Sequence, residues 1–177
     1  MVRKLGEGYT IASCVRWGRG GLEEFAFLPI SVDGLDATSI LSFMVASLAW
    51  NGDVEAILLD SLTIGGFNII SPDTLYRTAG APVVVVYTYK PSLLRLERGL
   101  RAASLPLTSV RLRILSLVES ARRIETRMGP LYVVTWPERV EGLRRLLEEY
   151  QVRDRKPAPL RAAHYISSSL STLLTVD

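Results

Sequence analysis

The chain has 177 residues, 48% of them apolar and 22% charged, a mean hydropathy of +0.22 and a formal net charge of +3. This is the composition of a folded globular chain and excludes a disordered one. No apolar run reaches the 18 or so residues of a spanning helix, the closest being residues 40–50, and no basic start with an apolar stretch and a cleavage site marks a secretory signal. The single cysteine, Cys14, excludes an internal disulfide and a thiolate metal cage, so a cytoplasmic protein without membrane contact is expected.

Charge is uneven along the chain. Residues 1–89 hold five Lys/Arg against nine Asp/Glu, a net −4, whereas residues 90–177 hold sixteen against nine, a net +7. Carboxylates beside a basic half suit a polyanion that meets a metal site, although solvated arginine-rich helix faces account for the same pattern.

In chain order, residues 9–17 (YTIASCVRW) and 22–32 (LEEFAFLPISV) read as strands joined through Gly18, Gly20 and Gly21, which makes a hairpin. Residues 36–50 have helical spacing, with Asp36 placed to cap the start and Asn51-Gly52 to end it. Residues 54–60 (VEAILLD) and 82–90 (PVVVVYTYK) are apolar on both faces, as central strands are, and residues 71–80 between them form a short helix ending at Gly80. Strand, helix, strand makes a βαβ unit. Helices are expected at residues 91–103, 108–124, 137–150 and 159–174, a last strand at 130–135, and a polar connector at 152–159. With neither repeat nor boundary, residues 1–177 read as one α/β domain, a mixed sheet covered by helices.

Chemistry in such sheets gathers at the carboxyl ends of strands. Asp60 follows AILL directly, at the mouth of an apolar core, where burial penalises a carboxylate lacking a cation or donors. Mg²⁺ takes oxygen ligands and often only one or two carboxylates, so Asp60 is the leading metal candidate beside its alternative as a turn residue. Asp33, next to Gly34, reads as a turn residue. The glycines at 18, 20 and 21 lie between hairpin strands, the wrong setting for a nucleotide-binding loop, and no serine stands in a nucleophile elbow. Tyr87 and Tyr89 alternate in a strand and read as packing groups, and Cys14 as inert core.

Four segments, VDGLDAT (32–38), AILLDSLTIGGFN (56–68), PVVVVYTYKP (82–91) and PAPLRAAH (157–164), resemble in order the signature segments of an archaeal family of no established activity that is similar to endonuclease V. The resemblance implies an RNase H-like fold and a nuclease dependent on Mg²⁺ or Mn²⁺. It implies Asp60, Asp36, Lys90 and His164 as catalytic residues and Asp60, Asp36 and Glu7 as metal ligands, Glu7 standing where the nuclease has an aspartate. Two or three carboxylates holding such ions would activate water and steady the leaving oxygen of a phosphodiester. Arg161, one turn before His164, together with Arg111, Arg122 and Arg123, would bind DNA or RNA. The blander roles remain open: a strand-end residue for Lys90, a helix residue for His164, a helix cap for Asp36. The aromatic-proline-glycine wedge of endonuclease V is replaced by LPISVDG, and its base-pocketing loop by SLTIGGFNIIS, whose Gly65 and Gly66 allow a close approach to a ligand. Reading of a deaminated base is therefore not implied. A non-catalytic nucleic-acid-binding protein of the same fold is the alternative.

Overall fold

The computed structural model describes residues 8–49 and 54–174. Strands β1 (Tyr9–Gly18) and β2 (Gly21–Ser31) form the expected antiparallel hairpin, paired from Tyr9–Ser31 to Gly18–Gly21 with a register shift between Arg16 and Trp17. Helix α1 (Ala37–Ala49) buries Ala37, Leu41 and Met44, spaced so that all three fall on one face. Strand β3 is shorter than expected, Ile57–Leu59, and is followed by a small hairpin, β4 (Thr63–Ile64) and β5 (Asn68–Ile69), where the sequence shows only a loop.

Helix α2 (Pro72–Ala79) agrees closely with expectation. Ser71 accepts a hydrogen bond from the Thr74 amide, Pro72 opens the first turn, and Gly80 closes the helix at φ 65°. Strand β6 (Val83–Tyr87) then lies parallel to β3, completing the βαβ unit. Val83, Val84, Val85 and Val86 are all buried because each face of β6 is covered. Val84 and Val86 pack with Leu143, Leu147 and Leu160, whereas Val85 packs with Leu62, Leu100 and Leu115. Each such valine contributes roughly 1.5 kcal/mol or more of burial free energy.

Helix α3 spans Leu93–Ala102, capped by Ser92. The long helix expected over residues 108–124 is three elements: α4 (Thr108–Leu115), a 3-10 turn (Ser116–Ser120) and strand β7 (Arg122–Thr126). Strand β8 (Gly129–Trp136) pairs antiparallel with both β7 and β6. Helix α5 begins only at Leu143 and ends at Tyr150, because Gly142 enters it in a left-handed conformation, φ 64°. Helix α6 runs Ala158–Leu174.

The mixed sheet thus has the order β3-β6-β8-β7. Among the described residues the β1–β2 hairpin is not hydrogen-bonded to it. Instead α1 and α6 pack on the hairpin, and Ser13 Oγ donates to the Ala163 carbonyl on α6 at 2.6 Å. No described helix is long and apolar enough to cross a membrane.

Candidate functional site around Asp60

The apolar run of β3 ends in the core at Leu59, and the next side chain, Asp60, emerges half exposed. It stands on the wall between two clefts. The larger, about 1170 Å³, runs between β1 and β3 and is bordered by α1, α5 and α6, with His164 on its α6 side. The smaller, about 360 Å³, lies where β3 and β6 end, and takes Lys90, Arg95 and Lys156 into its lining. Among the described residues Asp60 is the one acid lining the smaller cleft, together with these three cationic residues. The closest is Lys156, whose Nζ lies 3.1 Å from Asp60 Oδ2.

Tyr87 lines the same cleft. Burial pushes its phenol up to about 12, opposed by a backbone hydrogen bond with Leu62 and reinforced by the nearby Asp60 carboxylate. It therefore stays a neutral hydroxyl at physiological pH. Two residues on, Tyr89 departs from the expected packing role: 75% of it is exposed, with the Arg155 guanidinium over its ring, 5.2 Å from the centroid.

Asp60 lines both clefts, Lys90 only the smaller and His164 only the larger. Asp36 lines neither cleft. Its carboxylate accepts hydrogen bonds from the Ser31 amide (3.1 Å), Ser31 Oγ (3.0 Å) and Asn68 Nδ2 (2.5 Å). Burial raises this carboxyl, but the bonds from Asn68 and Ser31 outweigh it and leave the acid below its ordinary value. Asp33, at φ 57°, accepts the Phe67 amide at 2.8 Å. Both acids thus fasten the start of α1 to the β4–β5 hairpin. Gly66 is packed into that contact, where a Cβ would stand 2.2 Å from Asp33 Oδ1, whereas Gly65 abuts β1, where a Cβ would stand 3.0 Å from Thr10 Cγ2, and also lines the larger cleft. Glu7 lies outside the described residues.

The arginines divide. Arg111, expected on a nucleic-acid-binding surface, is instead 1% exposed. Its guanidinium donates to the carbonyls of Asp33 (2.7 Å), Gly34 (3.0 Å), Pro106 (3.1 Å) and Phe67, which uses four of its five N–H groups, and its burial keeps it from a phosphate. Burial lowers its pKa, with Asp33 opposing. Arg161 is paired with Asp154 at 2.6 Å. Arg122 and Arg123 lie on β7 rather than on a helix, where Arg122 donates to Thr135 Oγ1 and the Glu138 carbonyl and Arg123 pairs with Glu125 at 2.6 Å. Strand β7 is the sheet edge opposite β3, roughly 14 Å away at three strand spacings.

Sequence reasoning missed Lys156, Arg95 and the exposed side of Tyr89. Arg95 and Lys156 sit in a helix start and a connector whose positions relative to Asp60 are set only by tertiary folding. The one available signal was the basic run RDRK at residues 153–156, directly before a resembling segment.

Among the described residues no group of three or more His, Cys, Asp or Glu side chains is placed to hold a metal ion. A cage of three protein carboxylates therefore does not fit these residues. A Mg²⁺ or Mn²⁺ held by the half-exposed Asp60 carboxylate, with its remaining positions left to phosphate oxygens and water, does fit.

The UPF0215 protein of Aeropyrum pernix is 47% identical, over 98% of this chain and 95% of its own. Human ENDOV superposes with a TM-score of 0.63 at 16% identity, covering 99% of this chain and 84% of that one. The Ciona intestinalis endonuclease V, solved with a 24mer DNA containing an inosine followed by a ribo-adenosine, gives 0.52 at 11% identity, covering 98% and 92%. The fold is thus the mixed α/β, RNase H-like one of endonuclease V. Sequence matching over residues 2–171 gives the family: the chain belongs to the endonuclease dU family.

Proposed function

We propose that this chain is a divalent-metal-dependent endonuclease that works at Asp60. The observation that carries this reading is the position of Asp60: a solvent-reaching carboxylate at the end of a central strand, facing Lys90, Arg95 and Lys156 across one cleft and sharing the other with His164. Family membership and the fold support it.

Asp60 would hold a Mg²⁺ or Mn²⁺ ion, which supplies an activated water and neutralises charge on a phosphodiester. Lys90, Arg95 and Lys156 bind the backbone phosphates and steady the negative charge that develops on them. Lys156, now bonded to Asp60, would turn to a phosphate oxygen of the bound substrate. His164, exposed on α6, orients water from the larger cleft. Asp36 acts through structure, by fixing the start of α1. The family's name makes dU-containing DNA the first substrate to test, and the Ciona complex supports nucleic acid as the partner.

The test is cleavage of labelled oligonucleotides carrying one dU, in Mg²⁺, in Mn²⁺ and in chelator. Native protein cleaves only with metal, and Asp60→Asn keeps its fold but not its activity. Mn²⁺ raises the melting temperature of the native protein and not of Asp60→Asn, since a ligand bound only by the folded state stabilises it. Undiminished cleavage by Asp60→Asn would remove Asp60 from the mechanism. Salt-sensitive binding with no cleavage of any oligonucleotide, and no thermal shift, would favour the non-catalytic nucleic-acid-binding alternative.

A further inference from the structure

We infer that Tyr89 and Arg155 form a stacking platform for an unpaired base of single-stranded or locally opened nucleic acid, beside the phosphate held at Asp60. The inference rests on the nucleic-acid reading of that site and adds a substrate class to it.

The pair is built next to the acid on both chain segments. Tyr89 precedes Lys90, and Arg155 precedes Lys156, so the Tyr89–Arg155 contact is one residue away from the Asp60–Lys156 ion pair. Tyr89 lines the same cleft as Lys90, Arg95 and Lys156 yet leaves 75% of its surface in water. An aromatic ring so exposed, at the rim of a cleft with three cations and one acid, suits a ligand with flat apolar faces and a charged backbone. Unpaired nucleotides have both features.

Arg155 is set in advance rather than free to wander. Its carbonyl accepts from Gln151 Nε2 at 2.6 Å. Its aliphatic stem crosses β8 at Gly129, where a Cβ would stand 3.0 Å from Arg155 Cδ. A side chain at Gly129 would press on that stem, which lies close over the backbone there. The guanidinium lies over one face of the ring and steadies it, and the exposed remainder of the ring offers a base a surface on which to stack without regard to sequence. In a duplex both faces of each base are already covered by neighbours, so the platform discriminates for unpaired bases.

Binding of a short fluorescent single strand, and of its duplex, is measured by anisotropy in chelator over a range of salt. Tyr89→Ala weakens single-strand binding roughly tenfold without changing the salt slope, because stacking releases no counterions. Tyr89→Phe stays within about twofold, since the ring and not the hydroxyl stacks. Duplex affinity changes far less. Lys90→Ala behaves oppositely, lowering the slope by about 0.7 for a single strand. Native-like single-strand binding by Tyr89→Ala overturns the inference, as does equal loss on duplex or an equal loss in Tyr89→Phe. Metal-dependent cleavage that persists alongside any of these results leaves the nuclease standing and removes only the platform. A native protein that neither binds nor cleaves nucleic acid removes both.

Discussion

Lys156 Nζ stands 3.1 Å from Asp60 Oδ2, joining residues 96 positions apart in the chain. Under the proposed function the lysine would compete with a divalent ion for this carboxylate. Lys156 is 28% exposed at its side chain and Asp60 50%, so water screens their attraction.

Replacing Lys156 by alanine therefore has small structural cost, below about 1 kcal/mol, the ordinary value of an exposed ion pair. Its effect on ligands is larger and of opposite sign for the two. The Mn²⁺ concentration that half-saturates the thermal shift falls, because a competing cation is gone. Nucleic-acid affinity falls too, with the salt slope lower by about one phosphate contact. An unmoved Mn²⁺ midpoint would show that the lysine and the ion do not share Asp60.

Arg111 gives the largest expected loss of stability. Removing its side chain strands carbonyls from two loops and the start of α4, all of them satisfied now by one buried guanidinium. Arg111→Met is expected to cost about 3 kcal/mol or more. For a chain of this length that corresponds to a melting temperature lower by roughly 6–12 °C. Where both proteins are folded, the salt dependence of nucleic-acid binding is the same, as a buried arginine neutralises no phosphate. A change in slope with unchanged stability would contradict the burial.

Asp36 predicts a pH effect. Its carboxyl lies below the ordinary value of 3.8 in the fold, so on acidification the unfolded chain takes up the proton first. The stabilisation is fully present above pH 3.8 and is lost as pH falls through the lower folded value. Asp36→Asn lacks this component, so native and variant differ most in denaturant midpoint near neutrality and converge in acid. A constant difference down to the acid end would refute the assignment.

Arg122 and Arg123 stand across the sheet from Asp60 and already have partners. The double replacement Arg122→Ala, Arg123→Ala is expected to leave the affinity of a short oligonucleotide within about twofold and its salt slope unchanged. A slope reduced by one or two contacts would place nucleic acid along β7.

How much of this was readable in the sequence depends on the range of the forces involved. The buried valines of β6, the α2 caps and the acid ending β3 are local patterns, and they were legible. Strand β7 was not, because RRIET is polar and exposed and becomes a strand only by pairing with β8, Arg122 opposite Val133. The start of α5 was set too early because Gly142 imposes a left-handed turn that the apolar spacing does not reveal. Arg111 is one arginine among several on an amphipathic stretch, and only the convergence of distant carbonyls explains why it alone is interior. At the site, Asp60 shares one cleft with Lys90 and the other with His164, whereas Asp36 turned inward to Ser31 and Asn68 because the unforeseen β4–β5 hairpin delivers Asn68 to it.

The separation of the β1–β2 hairpin from the four-stranded sheet has one more consequence. With no ladder bonds spanning the larger cleft among the described residues, that trough is bounded by contacts of the hairpin with α1 and α6, such as the bond from the Ser13 hydroxyl on β1 to the Ala163 carbonyl. It can be widened or narrowed one residue at a time, without disturbing any strand register. Its size is thus adjustable separately from the scaffold that carries Asp60.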